Sequence, residues 1–299
     1  MSKSNSAPQT LRAQLWLTGA MMLWGMNIPA VKYLTTSFSP IVLASLRMII
    51  ASMVFIAIAL YTRGGLPRIE RAQWGILVVC GVLMVYLNQY LFATGIASAS
   101  ATNTALIMAL GPLLSSLLAA LVFRERLTRG RVIGIALGMG GVAAVILQRP
   151  GSGVQEAGLG ELFVMGGVLS FAVGGILVQR LAQRVDSLAI SWGIYMIGTV
   201  FLVLHCALAD TDVHALFPGF GAWALLLFSG IFATALANLV WNQSIAQLGI
   251  GRTALYLNWV PLFGITFGVL FLGEPLSWWH GFGLLCVVAG TWLGSKKAD

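Results

Sequence analysis

The sequence predicts an all-α membrane protein: ten transmembrane helices in two inverted five-helix repeats around a central cavity. Three observations predict it. Hydrophobic residues make up 59% of the 299-residue chain and charged residues 9%, with a mean hydropathy of +0.91. A soluble domain carries about 25% charged residues, so a chain this apolar has the bilayer as its solvent. The apolar residues fall into ten runs, each near the roughly 20 residues that a spanning helix needs. The second half also repeats the first.

Helix 1 is expected over 14–34, after Lys3 and Arg12. It is too long for a signal-peptide core and has no small-residue cleavage site, so it is expected to be retained. Its centre reads Trp24-Gly25-Met26-Asn27-Ile28-Pro29. Trp24 and Asn27, three apart, share a face. Asn27 either bonds to a neighbouring helix or faces a substrate.

Helix 2, over 40–61, carries Arg47. At 1.5 Å per residue this cation lies about 10 Å below the outer end. A buried Arg needs partners. Either it is tied to backbone carbonyls or snorkels outward, or it meets a carboxylate or forms an external gate. Helix 3, over 73–95, carries Tyr86 and Tyr90 on one face, with Asn88 and Gln89 between them. Helix 4, over 101–122, holds Pro112, and helix 5, over 130–148, is marked by Gly134, Gly138 and Gly141, which suit close packing.

The longest polar linker, Gln148 to Gly158, divides the chain into repeats 1–148 and 149–299. Helix 6 is expected over 159–181, with Glu161 near its outer end, and helix 7 over 188–208. Helix 8, over 222–246, carries Asn238, Trp241 and Asn242. Helix 9, over 252–272, carries Tyr256, Asn258, Trp259 and Pro261, and helix 10 covers 278–295. A lipid-facing surface would not collect so many amides, so these faces should point inward, as helix glue or as ligands. Pro29, Pro112 and Pro261 are placed near the middle of helices 1, 4 and 9. There each would free the carbonyl four residues earlier, as a packing kink or as a hinge.

A shift of 149 lays helices 3–5 over helices 8–10 without a gap. Trp74 meets Trp223, Gly81 meets Gly230, Pro112 meets Pro261, Glu125 meets Glu274 and Gly141 meets Gly290; about a quarter of positions between Trp74 and Gly141 are identical. Five helices is an odd number, so the second repeat enters the membrane upside down, a building plan of transporters with the substrate at the repeat interface. With the N-terminus in the cytoplasm, Arg63, Arg68, Arg71, Arg124, Arg126, Arg129, Arg131, Arg180, Arg184 and Arg252 all fall inside. Only Lys32 and Arg149 fall outside, with Asp210 and Asp212. Both termini are therefore expected in the cytoplasm.

The net charge of +8 sits in these loops and not on one helix face, which argues against nucleic acid. Cys80, Cys206 and Cys286 lie in apolar runs without ligand spacing, and the three histidines are scattered, so no metal or cofactor is expected. Nothing resembles a nucleophile–base pair, which argues against an intramembrane enzyme. No Asp or Glu is placed at mid-membrane: Glu125 and Glu274 follow helices 4 and 9. That weakens proton-coupled expulsion of cationic drugs and leans toward facilitated efflux of a neutral or zwitterionic solute.

Trp24-Gly25-x-Asn27, Pro40 with Ala44-x-x-Arg47, and the twin Ala-Leu…Pro…Glu blocks (Ala105 to Glu125, Ala254 to Glu274) carry a resemblance over essentially the whole chain. The chain resembles the drug/metabolite transporter superfamily in its ten-helix EamA-type form. Within it, the chain is most similar to the YddG-type exporters of aromatic and other amino acids. The resemblance implies a basket of helices around a central cavity, with helices 5 and 10 at the periphery, and alternating access. The expectation is thus an amino acid exporter of the bacterial inner membrane, working as a monomer. Trp24, Asn27, Tyr86, Tyr90, Asn238, Asn242, Tyr256, Asn258 and Trp259 would line the cavity, and Arg47, Pro29, Pro112 and Pro261 would gate or shape it. A multidrug or dye exporter of the same superfamily, or a gated channel, are the alternatives.

Overall fold

A computed structural model describes residues 7–122, 129–147, 158–209, 219–248, 253 and 256–295. Glu125, the linker after Gln148, Arg252, Asp210 and Asp212 lie outside the described residues. Every regular element among the described residues is helical. They form the runs α1 (Ala7–Leu34), α2 (Pro40–Arg63), α3 (71–98), α4 (101–122), α5 (Arg129–Leu147), α6 (Leu159–Leu181), α7 (Ser187–Leu208), α8 (220–248), α9 (256–272) and α10 (Trp278–Ser295). Pro40–Arg63, Arg71–Ser98, Leu159–Val178, Ser187–Leu208 and Phe220–Ser244 are long and apolar enough to cross a membrane by length and composition. Ala101–Ser115, Val132–Val145 and Tyr256–Leu272 are shorter apolar helices. Leu15, Leu162, Leu204, Leu270 and Leu285 are each more than half exposed, as suits a surface solvated by hydrocarbon.

The termini follow local chemistry. Pro40 occupies the first turn of α2, where its missing N–H costs nothing. Gly64 closes that helix in the left-handed conformation at φ 67° and donates to Leu60 C=O. Asp186 caps α7 by accepting from the N–H groups of Leu188 and Ala189 at 3.0 and 3.1 Å. The Ser100 hydroxyl accepts from Asn103 N–H at the start of α4.

The three prolines sit differently within their helical segments. Pro29 lies inside α1. Helix α4 breaks at 109–110, and Pro112, midway along 101–122, is the second residue of the segment Gly111–Val122. Pro261 is the third residue of the α-helical segment Trp259–Leu272, after a 3₁₀ turn over Tyr256–Asn258. The interruption of α4 falls between Met108 and Pro112, which has no N–H to donate to the Met108 carbonyl, while Pro261 lies in a first turn, where N–H groups have no intrahelical partner.

Two long helices contain a π-helical stretch, Val82–Leu87 in α3 and Ser229–Leu236 in α8. Both end at positions related by the shift of 149. Such widened turns recur at functional sites.

Packing joins the two halves of the chain. α1 lies on α8 and α9, α6 on α3 and α4, α2 on α7 and α8, α7 also on α3, and α5 on α10. Small residues set the closest approaches. A Cβ on Gly25 of α1 would strike Phe263 Cβ and lie 2.9 Å from Gly264 N of α9. One on Gly290 of α10 would strike the Gly134 carbonyl of α5. α5 and α10 pack chiefly on each other.

Candidate functional site

One connected cluster of interior polar groups surrounds Arg47, which is 2% exposed. Nε donates to Ser229 Oγ at 2.7 Å and Nη2 to Thr234 Oγ1 at 3.3 Å, both on α8. Nη1 donates to Gln89 Oε1 of α3 at 3.2 Å. Ser229 in turn donates to Asn27 Oδ1 of α1 at 2.5 Å. Gln89 Nε2 donates to Asn88 Oδ1, and Asn88 Nδ2 to the Gly167 carbonyl of α6 at 2.9 Å. One connected network therefore links α1, α2, α3, α6 and α8. Arg47 is held by side chains, and neither backbone carbonyls nor a carboxylate of the described residues hold it.

The π-helical stretches shape this hub. Thr234 Oγ1 donates to the Ser229 carbonyl at 2.7 Å, and Ser170 Oγ of α6 donates to the Leu83 carbonyl at 3.0 Å. Hydroxyls thus occupy acceptors inside the widened turns, as buried carbonyls require. Asn238 Nδ2 donates to the Thr234 carbonyl at 2.8 Å, so that amide is engaged within its own helix.

The other expected residues fall into separate groups. The Tyr86 hydroxyl and His205 Nδ1 lie 3.2 Å apart, and the Tyr90 ring centroid is 4.8 Å from that of His205. Trp24 packs on Trp241 at 5.5 Å between centroids. Asn242 Nδ2 donates to Ser191 Oγ of α7 at 2.5 Å. Tyr256 is half-buried against the α1–α8 core. Asn258 Oδ1 is buried with no hydrogen-bond partner among the described residues. Trp259 is 45% exposed and stacks on Phe263, away from the hub.

An apolar crevice of about 410 Å³ opens between α1, α8 and α9, lined by Met26, Pro29, Ala30, Tyr33, Leu225, Phe228, Phe271 and Leu272. Of the expected residues only Pro29 lines it, and none of the amides does.

Contacts across the halves occur at both ends of the bundle. At one end Arg63 pairs with Asp186 at 2.6 Å. At the other, Glu274 accepts from Ala101 N–H, Thr102 N–H and the Thr102 hydroxyl. Asp186 lies outside the helices. Burial alone would raise its pKa, but hydrogen bonds from Arg63, Ala189 N–H and Leu188 N–H, with the Arg63 charge, hold it below the usual carboxylate value.

Sequence reasoning missed Ser229, Thr234, Ser191, His205 and the capping role of Glu274. The repeat did carry one usable signal: Gln89 and Asn238 are related by the shift of 149, so an amide recurs at the same place in both halves.

The chain matches the EamA-like transporter family twice, over residues 11–147 and 158–295. It is 28% identical over 284 residues to the uncharacterized transporter YyaM of Bacillus subtilis, covering 94% of this chain and 92% of that one. It is 28% identical to the uncharacterized transporter YvbV of the same organism, covering 97% and 93%. A WAT1-related chloroplast protein of Arabidopsis thaliana is 24% identical, covering 87% and 64%. A solved crystal structure superimposes with a TM-score of 0.68 at 21% identity, covering 94% of this chain and 96% of the other, which speaks to fold. The chain belongs to the EamA-like transporter family, and it is a multi-pass membrane transporter of a small molecule, not an enzyme.

Proposed function

We propose that this transporter exports amino acids, aromatic and other neutral or zwitterionic ones, across the bacterial inner membrane by alternating access, as YddG-type exporters do. In this reading ten helices span the membrane, both termini are cytoplasmic, and residues 1–148 and 149–299 are inverted repeats of one monomer. The packing supports the repeats: replacing each helix by the one five places along carries α1–α8 onto α6–α3, α1–α9 onto α6–α4 and α2–α8 onto α7–α3. α2–α7 and α5–α10 map onto themselves. The paired π-helical stretches support the same symmetry.

The observation that carries the functional reading is the hub at the seam, where Asn27, Arg47 and Gln89 of the first repeat meet Ser229 and Thr234 of the second. Polar groups at membrane depth, shared between inverted repeats, are where transporters hold solutes. Asn27, Asn238, Asn242 and Asn258 supply amides, and Trp24, Tyr86, Tyr90 and Tyr256 supply ring surface; Trp259, exposed and stacked on Phe263, is left out of the site. Counterflow in proteoliposomes with labelled phenylalanine and a panel of other amino acids, with and without a proton gradient, tests it. Exchange of amino acids independent of the gradient is the expected result. Exchange of a lipophilic cation in place of every amino acid would establish the drug-exporter reading instead.

A further inference from the structure

Arg47 occupies only one of two related positions. A Cβ on Gly230 of α8 would lie 2.7 Å from Ile50 and 3.2 Å from the Arg47 carbonyl of α2. A Cβ on Gly81 of α3, related to Gly230 by the shift of 149, would lie 2.9 Å from Ile197 and 3.0 Å from the Ile194 carbonyl of α7. Ile50 thus matches Ile197, and Arg47 matches Ile194. The same helix crossing is built with isoleucine in one half and arginine in the other, so packing alone does not call for the cation.

Its surroundings do not neutralise it either. Among the described residues its bonded partners are two hydroxyls and one amide oxygen. A buried guanidinium without an anion keeps much of its desolvation cost. The two sides of the group differ. Nε and Nη2 are tied to Ser229, fully buried, and Thr234, 3% exposed, and both hydroxyls are committed to further acceptors. Nη1 meets Gln89 at 3.2 Å, one member of a half-buried amide pair.

We propose that the carboxylate of the transported solute replaces Gln89 Oε1 on Arg47 Nη1, so that the transporter selects molecules bearing a carboxylate. The proposal rests on the export reading above. Nε and Nη2 stay anchored to α8 and fix the plane of the guanidinium, which leaves Nη1 to make one charge-assisted hydrogen bond to the carboxylate.

The test is counterflow of labelled phenylalanine against three competitors: 3-phenylpropanoate, phenylalaninamide and phenethylamine. The acid should compete, and the two compounds without a carboxylate should not. Arg47→Gln should raise the apparent KM for phenylalanine by about ten- to a hundredfold, the weight of one charge-assisted hydrogen bond. It should also abolish the preference for the acid over the amide. Gln89→Ala, which keeps the cation and removes the internal competitor, should lower that KM, and it decides the matter if Arg47→Gln does not fold. Equal competition by acid and amide in the wild type, or an unchanged KM in Gln89→Ala, overturns the proposal. Exchange of phenethylamine without any carboxylate leaves transport standing and overturns carboxylate selection. A wild-type protein that exchanges none of these compounds overturns the export reading and this proposal with it.

Discussion

The Glu274 carboxylate rests on Thr102, 172 positions earlier in the chain: Oε2 accepts from the Thr102 N–H at 2.9 Å and from its hydroxyl at 2.5 Å. Oε1 accepts from Ala101 N–H at 2.7 Å. These are first-turn donors of α4, which no helical carbonyl can reach, and the positive end of the helix dipole favours the charge. The carboxylate comes from the turn between α9 and α10, so it ties the end of one half to a helix of the other. Glu274→Gln keeps the shape and removes the charge. It should cost about 1–3 kcal/mol, seen as a lower Tm in detergent. An unchanged Tm would show that the contact contributes nothing.

At the opposite end, Asp186 makes an acid-sensitive joint. Its pKa is lowered in the folded protein, so its contribution is complete above the ordinary carboxylate value of about 4 and is lost as pH falls through the lower folded value. The Tm difference between wild type and Asp186→Asn should be largest at neutral pH and should vanish on acidification. Both partners are partly exposed, at 40% and 47%, so raised salt should shrink the difference too. A difference that persists at low pH would assign the effect to the α7 cap and not to the ion pair.

How much of this was legible in the sequence depends on the length scale of the signal. Helix 6 was expected over 159–181 and runs Leu159–Leu181; helix 2 was expected from residue 40 and begins at Pro40. A run of apolar residues ended by polar ones, glycine or proline is a strong and local signal. The hub was harder. Asn27, Arg47 and Gln89 stood out as polar residues in apolar runs, but Ser229 and Thr234 did not, because small hydroxyls are common in membrane helices. They are five apart, which in an α-helix puts them about 140° apart on different faces. Only the π-helical stretch swings both toward Arg47, and nothing in Ser229–Leu236 distinguishes that turn by composition. Trp259 was grouped with the amides by nearness in sequence, yet it stacks along the exposed stripe of α9.

The crossing of α1 and α9 leaves no room for a methyl group. A Cβ at Gly25 would meet the Phe263 Cβ, Gly264 N at 2.9 Å and Val260 O at 3.0 Å. Two of those three atoms are backbone, so relief requires the helices to part. Gly25→Ala should lower stability by about 1–3 kcal/mol. Gly175 of α6 has nothing within 4 Å of its would-be Cβ, and Gly175→Ala should be neutral or stabilising. Thermal unfolding of the two variants side by side checks this, and equal Tm values would mean that the crossing yields easily.

Asn242 and Tyr86 bear on transport most directly, because each joins α7 to one of the two repeat-related helices α8 and α3 through a single polar contact. Asn242 of α8 donates to Ser191 of α7, and the Tyr86 hydroxyl of α3 meets His205 of the same α7. α7 is therefore held by polar bonds to both helices that carry a π-helical stretch. If those stretches bend as access alternates, these contacts must break and reform during the cycle, and a solute can take their place. Asn242→Leu keeps the volume and removes both hydrogen-bonding groups; Tyr86→Ala removes the ring as well. Both variants should insert and express normally, Asn242→Leu losing about one net hydrogen bond of 0.5–1.5 kcal/mol and Tyr86→Ala losing ring packing besides, while phenylalanine counterflow should be abolished. Serine at 191 offers an internal control: Ser191→Ala removes the partner and leaves the Asn242 amide free for solute, so it should retain transport. Wild-type rates in Asn242→Leu and Tyr86→Ala would place the solute path elsewhere, with the apolar crevice beside Pro29 and Phe228 the next place to look.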